Sequence, residues 1–129
     1  MKNYIMITNN PKVIQNYRDE EISILSLDKI DKIFTTTRDL IHKGYILVTH
    51  PLAGSIKPYQ NPYRTIILKE GEELDYDSLK NYENSFKKYK QFEKNKAKIN
   101  NLSQKILDDY QVIDLSLIDS AVQSIKKNN

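Results

Sequence analysis

The chain has no cysteine among its 129 residues. Disulfides, thiol redox chemistry, iron–sulfur ligation and thiolate zinc sites are excluded together. Histidine is scarce as well: His42 and His50 are the only two. A histidine-based metal site would need carboxylates to complete it, and no such cluster stands out. Glycine is limited to three residues, and the glycine-bearing signatures are missing. The absence of Gly-x-Gly-x-x-Gly and of a P-loop argues against a conventional dinucleotide or NTP site. Without Gly-x-Ser-x-Gly, Ser55 after Gly54 is only a weak match to a nucleophile turn. No apolar run approaches the roughly 18 residues of a membrane span, and the run within Met1 to Thr8 is too short for a signal peptide core. The expectation is a soluble, cytoplasmic chain with no membrane partner. No cofactor is implied.

What is present reads as one α/β domain over 1–129, with a helical C-terminal region over 75–127. The length is near the modal domain size. Tyr4 to Thr8 is a short apolar strand ending in Asn9-Asn10-Pro11, which places Asn10 as N-cap and Pro11 at the first helical position. Ile22 to Leu27 is a second strand, closed by Asp28 as the N-cap of the next helix. In that helix Ile30, Ile33, Phe34, Thr37, Leu40 and Ile41 follow helical spacing. His42-Lys43-Gly44 ends it, with glycine at C′. Tyr45 to Thr49 is a third strand and Tyr63 to Lys69 a fourth. The first three strands and two helices form a βαβαβ unit, which predicts a small, mostly parallel sheet of about four strands with flanking helices. No helix separates the third and fourth strands, so the fourth is expected to be antiparallel, on an edge.

Three of the four prolines fall between Thr49 and Arg64. Prolines fix φ, so this stretch reads as a shaped loop. In an open parallel sheet, ligands bind outside the carboxyl ends of the strands. Asn9 and Asn10 follow the first strand, and His50 follows the third. An antiparallel fourth strand brings Tyr63 and Arg64 to the same end, with Ser55 and Lys57 on the loop. The constellation suits a carboxylate or phosphate. Lys57 and Arg64 would hold the anion, Asn9 and Asn10 would position it, and His50 would act as acid or base if a reaction occurs. Each has a plainer reading. Asn10 as a simple N-cap, Asn9 as a turn residue, His42 as a helix-terminal cation, and Lys57 and Arg64 as surface charges account for the same residues.

At this loop the sequence resembles the GrdX-like family, small accessory proteins encoded with bacterial glycine, sarcosine and betaine reductases. The resemblance rests on Thr8-Asn9-Asn10-Pro11, on Arg38-Asp39-Leu40-Ile41-His42-Lys43-Gly44, on His50-Pro51-Leu52-Ala53-Gly54-Ser55-Ile56-Lys57-Pro58, and on Pro62-Tyr63-Arg64. It covers roughly the first 80 residues. It implies a cytoplasmic accessory role in anaerobic amino-acid reduction, with components of a reductase complex as partners and no established activity. It also implies that His50, Lys57 and Arg64 are signature positions and that His42 is more than a helix end.

The second half poses a different question. From Asp75, Leu79, Tyr82, Phe86, Tyr89 and Phe92 recur at helical spacing, and Ile99, Leu102 and Ile106 keep the same phase. A helix over 75–109 would be about 52 Å long, against a radius of gyration of roughly 14 Å for a domain of this size. Either it breaks near Asn95 to Asn101, or its far half packs on a second copy, giving a homodimer through residues 79–106. Tyr110 to Leu115 reads as a connector or short strand. Ser116 to Asp119 resembles a capping box opening a final helix that buries Leu117, Ala121, Val122 and Ile125. From Lys87 to Lys98 there are six lysines and one acid, Glu93. Lys87, Lys88, Lys90, Lys94, Lys96 and Lys98, interleaved with Tyr89 and Phe92, offer a competing nucleic-acid reading. Such aromatics are more often the buried stripe and the lysines the solvated face, and the net charge of +3 is too small to imply nucleic acid by itself.

Overall fold

The computed structural model describes residues 1–51, 61–94 and 102–128. Its elements are β1 (Tyr4–Thr8), α1 (Pro11–Tyr17), β2 (Ser23–Ser26), α2 (Ile30–His42), β3 (Ile46–Leu47), β4 (Thr65–Lys69), α3 (Tyr76–Lys94) and α4 (Gln104–Asn128). The four strands form one sheet in the order β2-β1-β4-β3. β1 pairs parallel with β2, while β4 runs antiparallel to both β1 and β3. The sheet is therefore mixed, not mostly parallel. The antiparallel direction expected for β4 is correct, but β4 lies inside the sheet and β3 takes the edge. The reason lies in the residues: Ile66, Ile67 and Leu68 are all fully buried, an apolar run covered on both faces, whereas Ile46 and Val48 are exposed. Alternation then divides the strands between two cores.

Met6 and Ile67 point to one face and pack with Val13 and Tyr17 of α1 and Ile118, Val122 and Ile125 of α4. Ile7, Ile66 and Leu68 point to the other, with Ile33, Phe34 and Ile41 of α2 and Tyr82 and Tyr89 of α3. The Phe34 ring stacks on Tyr89 at 4.8 Å between centroids. Burial pushes the Tyr82 hydroxyl up to about 12. The Tyr17 hydroxyl donates to Asp119, tying α1 to α4.

Local signals explain the element ends. Asn10 caps α1 by accepting from the Lys12 N–H at 3.0 Å, with Pro11 opening the helix. Gly44 follows α2 at φ +103°, the left-handed conformation that a C′ glycine allows. Asp28 does not cap α2. Lys29 occupies the N-cap without a side-chain bond, and Asp28 pairs with Lys32 at 3.0 Å. β3 stops early because Thr49 Oγ1 accepts the Ile67 N–H at 3.0 Å, replacing a ladder carbonyl.

The long helix expected from Asp75 is two helices. α3 ends at Lys94 and α4 begins at Gln104, with the Ser103 hydroxyl accepting from the Ile106 N–H at 3.3 Å. The unbroken helix on which the homodimer rested is thus absent; Ile99 lies outside the described residues, and Ile106 is exposed. Nor does a helix start at Ser116. α4 runs through it, because Gln111, Asp114, Ile118, Val122 and Ile125 form one buried stripe across the supposed connector. The lysine-rich segment belongs to α3 as far as Lys94, not to the C-terminal helix, and Lys96 and Lys98 lie outside the described residues. No described helix is long and apolar enough to cross a membrane.

Candidate functional site

The carboxyl ends of β1 and β3 and the start of β4 meet at one end of the sheet, with Thr8 opposite Thr65 in the register. Because β4 is antiparallel, Arg64 enters from the loop directly beside Asn9. The Asn9 side chain grips this entry from two sides. Its Nδ2 donates to the Pro62 carbonyl at 2.8 Å, and its Oδ1 accepts the Arg64 N–H at 2.8 Å. Asn10 turns the other way. Its Nδ2 donates to the Gln111 carbonyl at 2.9 Å and to Asp114 Oδ2 at 3.0 Å, so α1 and α4 are joined through the cap residue. Thr65 also donates to Asp114 Oδ2, at 2.7 Å, and shares a 2.7 Å bond with Thr8. Tyr63 accepts at its hydroxyl from Gln111 Nε2 at 2.8 Å.

A cavity of about 220 Å³ opens beside this network. Its polar wall holds Arg64, Thr65, Asp114, Thr49 and His50, and its apolar wall Val48, Pro51, Leu117, Ile118 and Ala121. The origin of the space is visible in the strand pattern. Val48, just past edge strand β3, lines the cavity opposite Leu117 and Ile118 of α4 and stays exposed. Arg64 is 5% exposed. Burial lowers its guanidinium from the ordinary arginine range, and the attraction of Asp114 and Tyr89 opposes that effect. His50 is the exposed member of the polar wall. Its Nε2 lies 3.5 Å from the Ser85 hydroxyl of α3. Partial burial, and then the charge of Lys88, hold His50 below its ordinary value, so the free protein favours the neutral ring.

A family model for GrdX-like proteins matches residues 5–123. The chain belongs to the GrdX-like family. No curated protein and no solved structure matches it. In this GrdX-like chain, His50 and Arg64 line the same cavity. Asn9, Asn10 and Tyr63 stand behind it: Asn9 fixes the Arg64 backbone, and Asn10 and Tyr63 bond to α4. Ser55 and Lys57 lie outside the described residues. His42 is exposed at the end of α2, away from this network.

Asp114 and Ser85 are among the polar residues of the site that no sequence motif marks. Asp114 is 6% exposed and joins Asn10, Thr65 and the cavity; Ser85, 1% exposed, meets His50. The signal for Asp114 was its place on the stripe Gln111, Asp114, Ile118, Val122, where an acid on a buried face calls for partners. No group of metal-binding type occurs among the described residues. On the lysine-rich helix, Tyr89 is buried against Phe34, and Lys90 lies 3.3 Å from Glu93 and 3.8 Å from Asp31. Tyr89 is therefore a core residue, with no face to offer a base.

Proposed function

We propose that the protein is a cytoplasmic accessory protein of glycine, sarcosine and betaine reductase systems that holds an anionic group, from a small molecule or a reductase component, in the Arg64–His50 cavity. The observation that carries this reading is a guanidinium only 5% exposed that nevertheless lines a cavity. A guanidinium at a cavity wall beside a histidine offers planar, two-pronged donors that a carboxylate or phosphate can accept. Asn9 sets the backbone from which Arg64 projects. His50 adds a second cation when an anion draws a proton onto it, and Lys88 contributes positive field at the same point. Membership of the GrdX-like family supports the reductase context.

Calorimetry tests the reading with phosphate, glycine and acetyl phosphate against wild type, Arg64→Ala and His50→Ala. At least one of these ligands should bind the wild type, at least tenfold more weakly after Arg64→Ala and by a smaller factor after His50→Ala. Equal heats for all three proteins would remove the site.

A further inference from the structure

We propose that the ligand of this cavity is a short aliphatic monocarboxylate, with its carboxylate at the Arg64 end and its hydrocarbon chain along Leu117 and Ala121. The proposal deepens the anion-binding reading and rests on it for the head group, while the lining of the cavity carries the chain. Both walls change from polar to apolar in the same direction. On α4, Asp114, Leu117, Ile118 and Ala121 line the cavity at helical spacing, as one face of the helix. From Asp114 to Ala121 the helix advances about 10.5 Å, so the acid and the alanine mark opposite ends. On the sheet side, Thr65 donates to Asp114 Oδ2 at 2.7 Å at the polar end. Val48 lies further along, where its N–H donates to the Ile67 carbonyl at 2.9 Å, beyond Thr65 on β4.

The polar end does little to choose between anions. Asp114 already attracts the Arg64 guanidinium, and its Oδ2 is held by Asn10 and Thr65. A monocarboxylate brings one negative charge toward that acid and a phosphate brings nearly two, so repulsion favours the monocarboxylate.

Selection then falls to the apolar end. Val48 is 39% and Leu117 37% exposed, and both line the cavity. A hydrocarbon chain that displaces water from these side chains gains about fourfold in affinity for each methylene it buries. Size sets the chain length. At about 30 Å³ for each group the size of a water molecule, 220 Å³ holds about seven such groups. A carboxylate takes three of them and leaves about four for carbon, which is the size of pentanoate.

Calorimetry on the full chain tests this with acetate, propionate, butyrate, pentanoate and heptanoate, and with butyramide as the neutral arm. Affinity should rise about fourfold per methylene as far as pentanoate and level off by heptanoate. Butyramide should bind about tenfold more weakly than butyrate. Ala121→Leu fills the far end and should leave pentanoate no tighter than propionate. Val48→Thr keeps the shape, removes an apolar contact and should lower the pentanoate-to-acetate ratio. Equal affinity for acetate and pentanoate would overturn the aliphatic chain and leave the anion site standing. A rise that continues through heptanoate, or one unchanged in both folded variants, would overturn the assignment to this cavity. Butyramide matching butyrate would overturn the carboxylate and the anion reading with it. If no carboxylate binds, the proposal falls, and the phosphate and acetyl phosphate titrations decide the broader reading separately. Circular dichroism checks folding, and because Val48 is exposed, Val48→Thr keeps the test decisive where Ala121→Leu does not fold.

Discussion

Replacing Asn10 by aspartate separates two roles that an asparagine cap combines. As a helix cap, aspartate is as good as asparagine, and its charge faces the positive end of the α1 dipole. A residue that only capped would therefore tolerate Asn10→Asp without loss. The structure requires the opposite. The Asn10 amide nitrogen donates to Asp114 Oδ2 at 3.0 Å and to the Gln111 carbonyl at 2.9 Å, and Asn10 itself is fully buried. The substitution replaces that donor by a second carboxylate oxygen. Two unit charges 3.0 Å apart repel by about 5.5 kcal/mol even at an effective dielectric of about 20. The less costly escape is to take up one proton, shared between the two groups. For a carboxyl with an ordinary pKa near 3.9, this costs about 4 kcal/mol at pH 7 and about 1.4 kcal/mol less for each unit the pH falls. The sign follows from proton counting: the folded variant binds one proton more than its unfolded chain, so its stability rises as pH drops toward 4. Urea denaturation of wild type and variant at pH 7 and pH 5 measures this directly. The deficit should be about 4 kcal/mol at pH 7 and should shrink by nearly 3 kcal/mol at pH 5. A variant as stable as wild type at pH 7, or a deficit that does not change with pH, would refute the Asn10–Asp114 contact.

Three further substitutions probe the packing and the site. Phe34→Ala removes a fully buried ring stacked on Tyr89 at 4.8 Å and should cost about 3–5 kcal/mol in urea melts; a loss below about 1 kcal/mol would mean that α2 and α3 do not meet through this ring. Gly44→Ala puts a β-carbon at φ +103° and 3.0 Å from the Glu72 carbonyl carbon, so it should destabilise by more than about 1 kcal/mol, and an unchanged melting temperature would contradict the turn. His50 sits below its ordinary value of 6.5, so its contribution to the stability of the free protein is present above pH 6.5 and is lost as pH falls through its lowered value. Phosphate affinity should run the other way, rising below pH 6.5 in wild type and flattening in His50→Ala; identical pH profiles would remove His50 from the site.

What could be read in the sequence was local. Asn10-Pro11 announced the start of α1 and Gly44 the end of α2, because caps and left-handed turns depend on adjacent residues. The gathering of His50 and Arg64 was also legible, since it needed only the direction of β4. The position of β4 was not. Whether a strand inserts beside β1 or adds at the edge is decided by burial on both faces, and the unbroken apolar run Ile66-Ile67-Leu68 is what carries that information. Asp114 was hidden by a false helix start at Ser116, which split the stripe from Gln111 to Ile125 and left the acid in an apparent connector. A continuous helix would have shown a carboxylate on an apolar face.

The interior place of β4 also governs how the chain can acquire its structure during synthesis. Ile67 belongs to the core beneath α1 and α4, and Ile66 and Leu68 to the core beneath α2 and α3. Neither core can close before these residues exist, although β1, α1, β2, α2 and β3 all precede them. β3, at two residues, pairs with β4 and with no other strand of the sheet. A nascent chain that stops at β3 therefore carries a βαβ pair and an orphan edge, with exposed apolar faces on both sides. The pairing of Thr8 with Thr65 closes a loop of 57 residues, which places the decisive step late and makes it dependent on long-range contact. Until then the growing polypeptide is a substrate for chaperones rather than a partly finished domain.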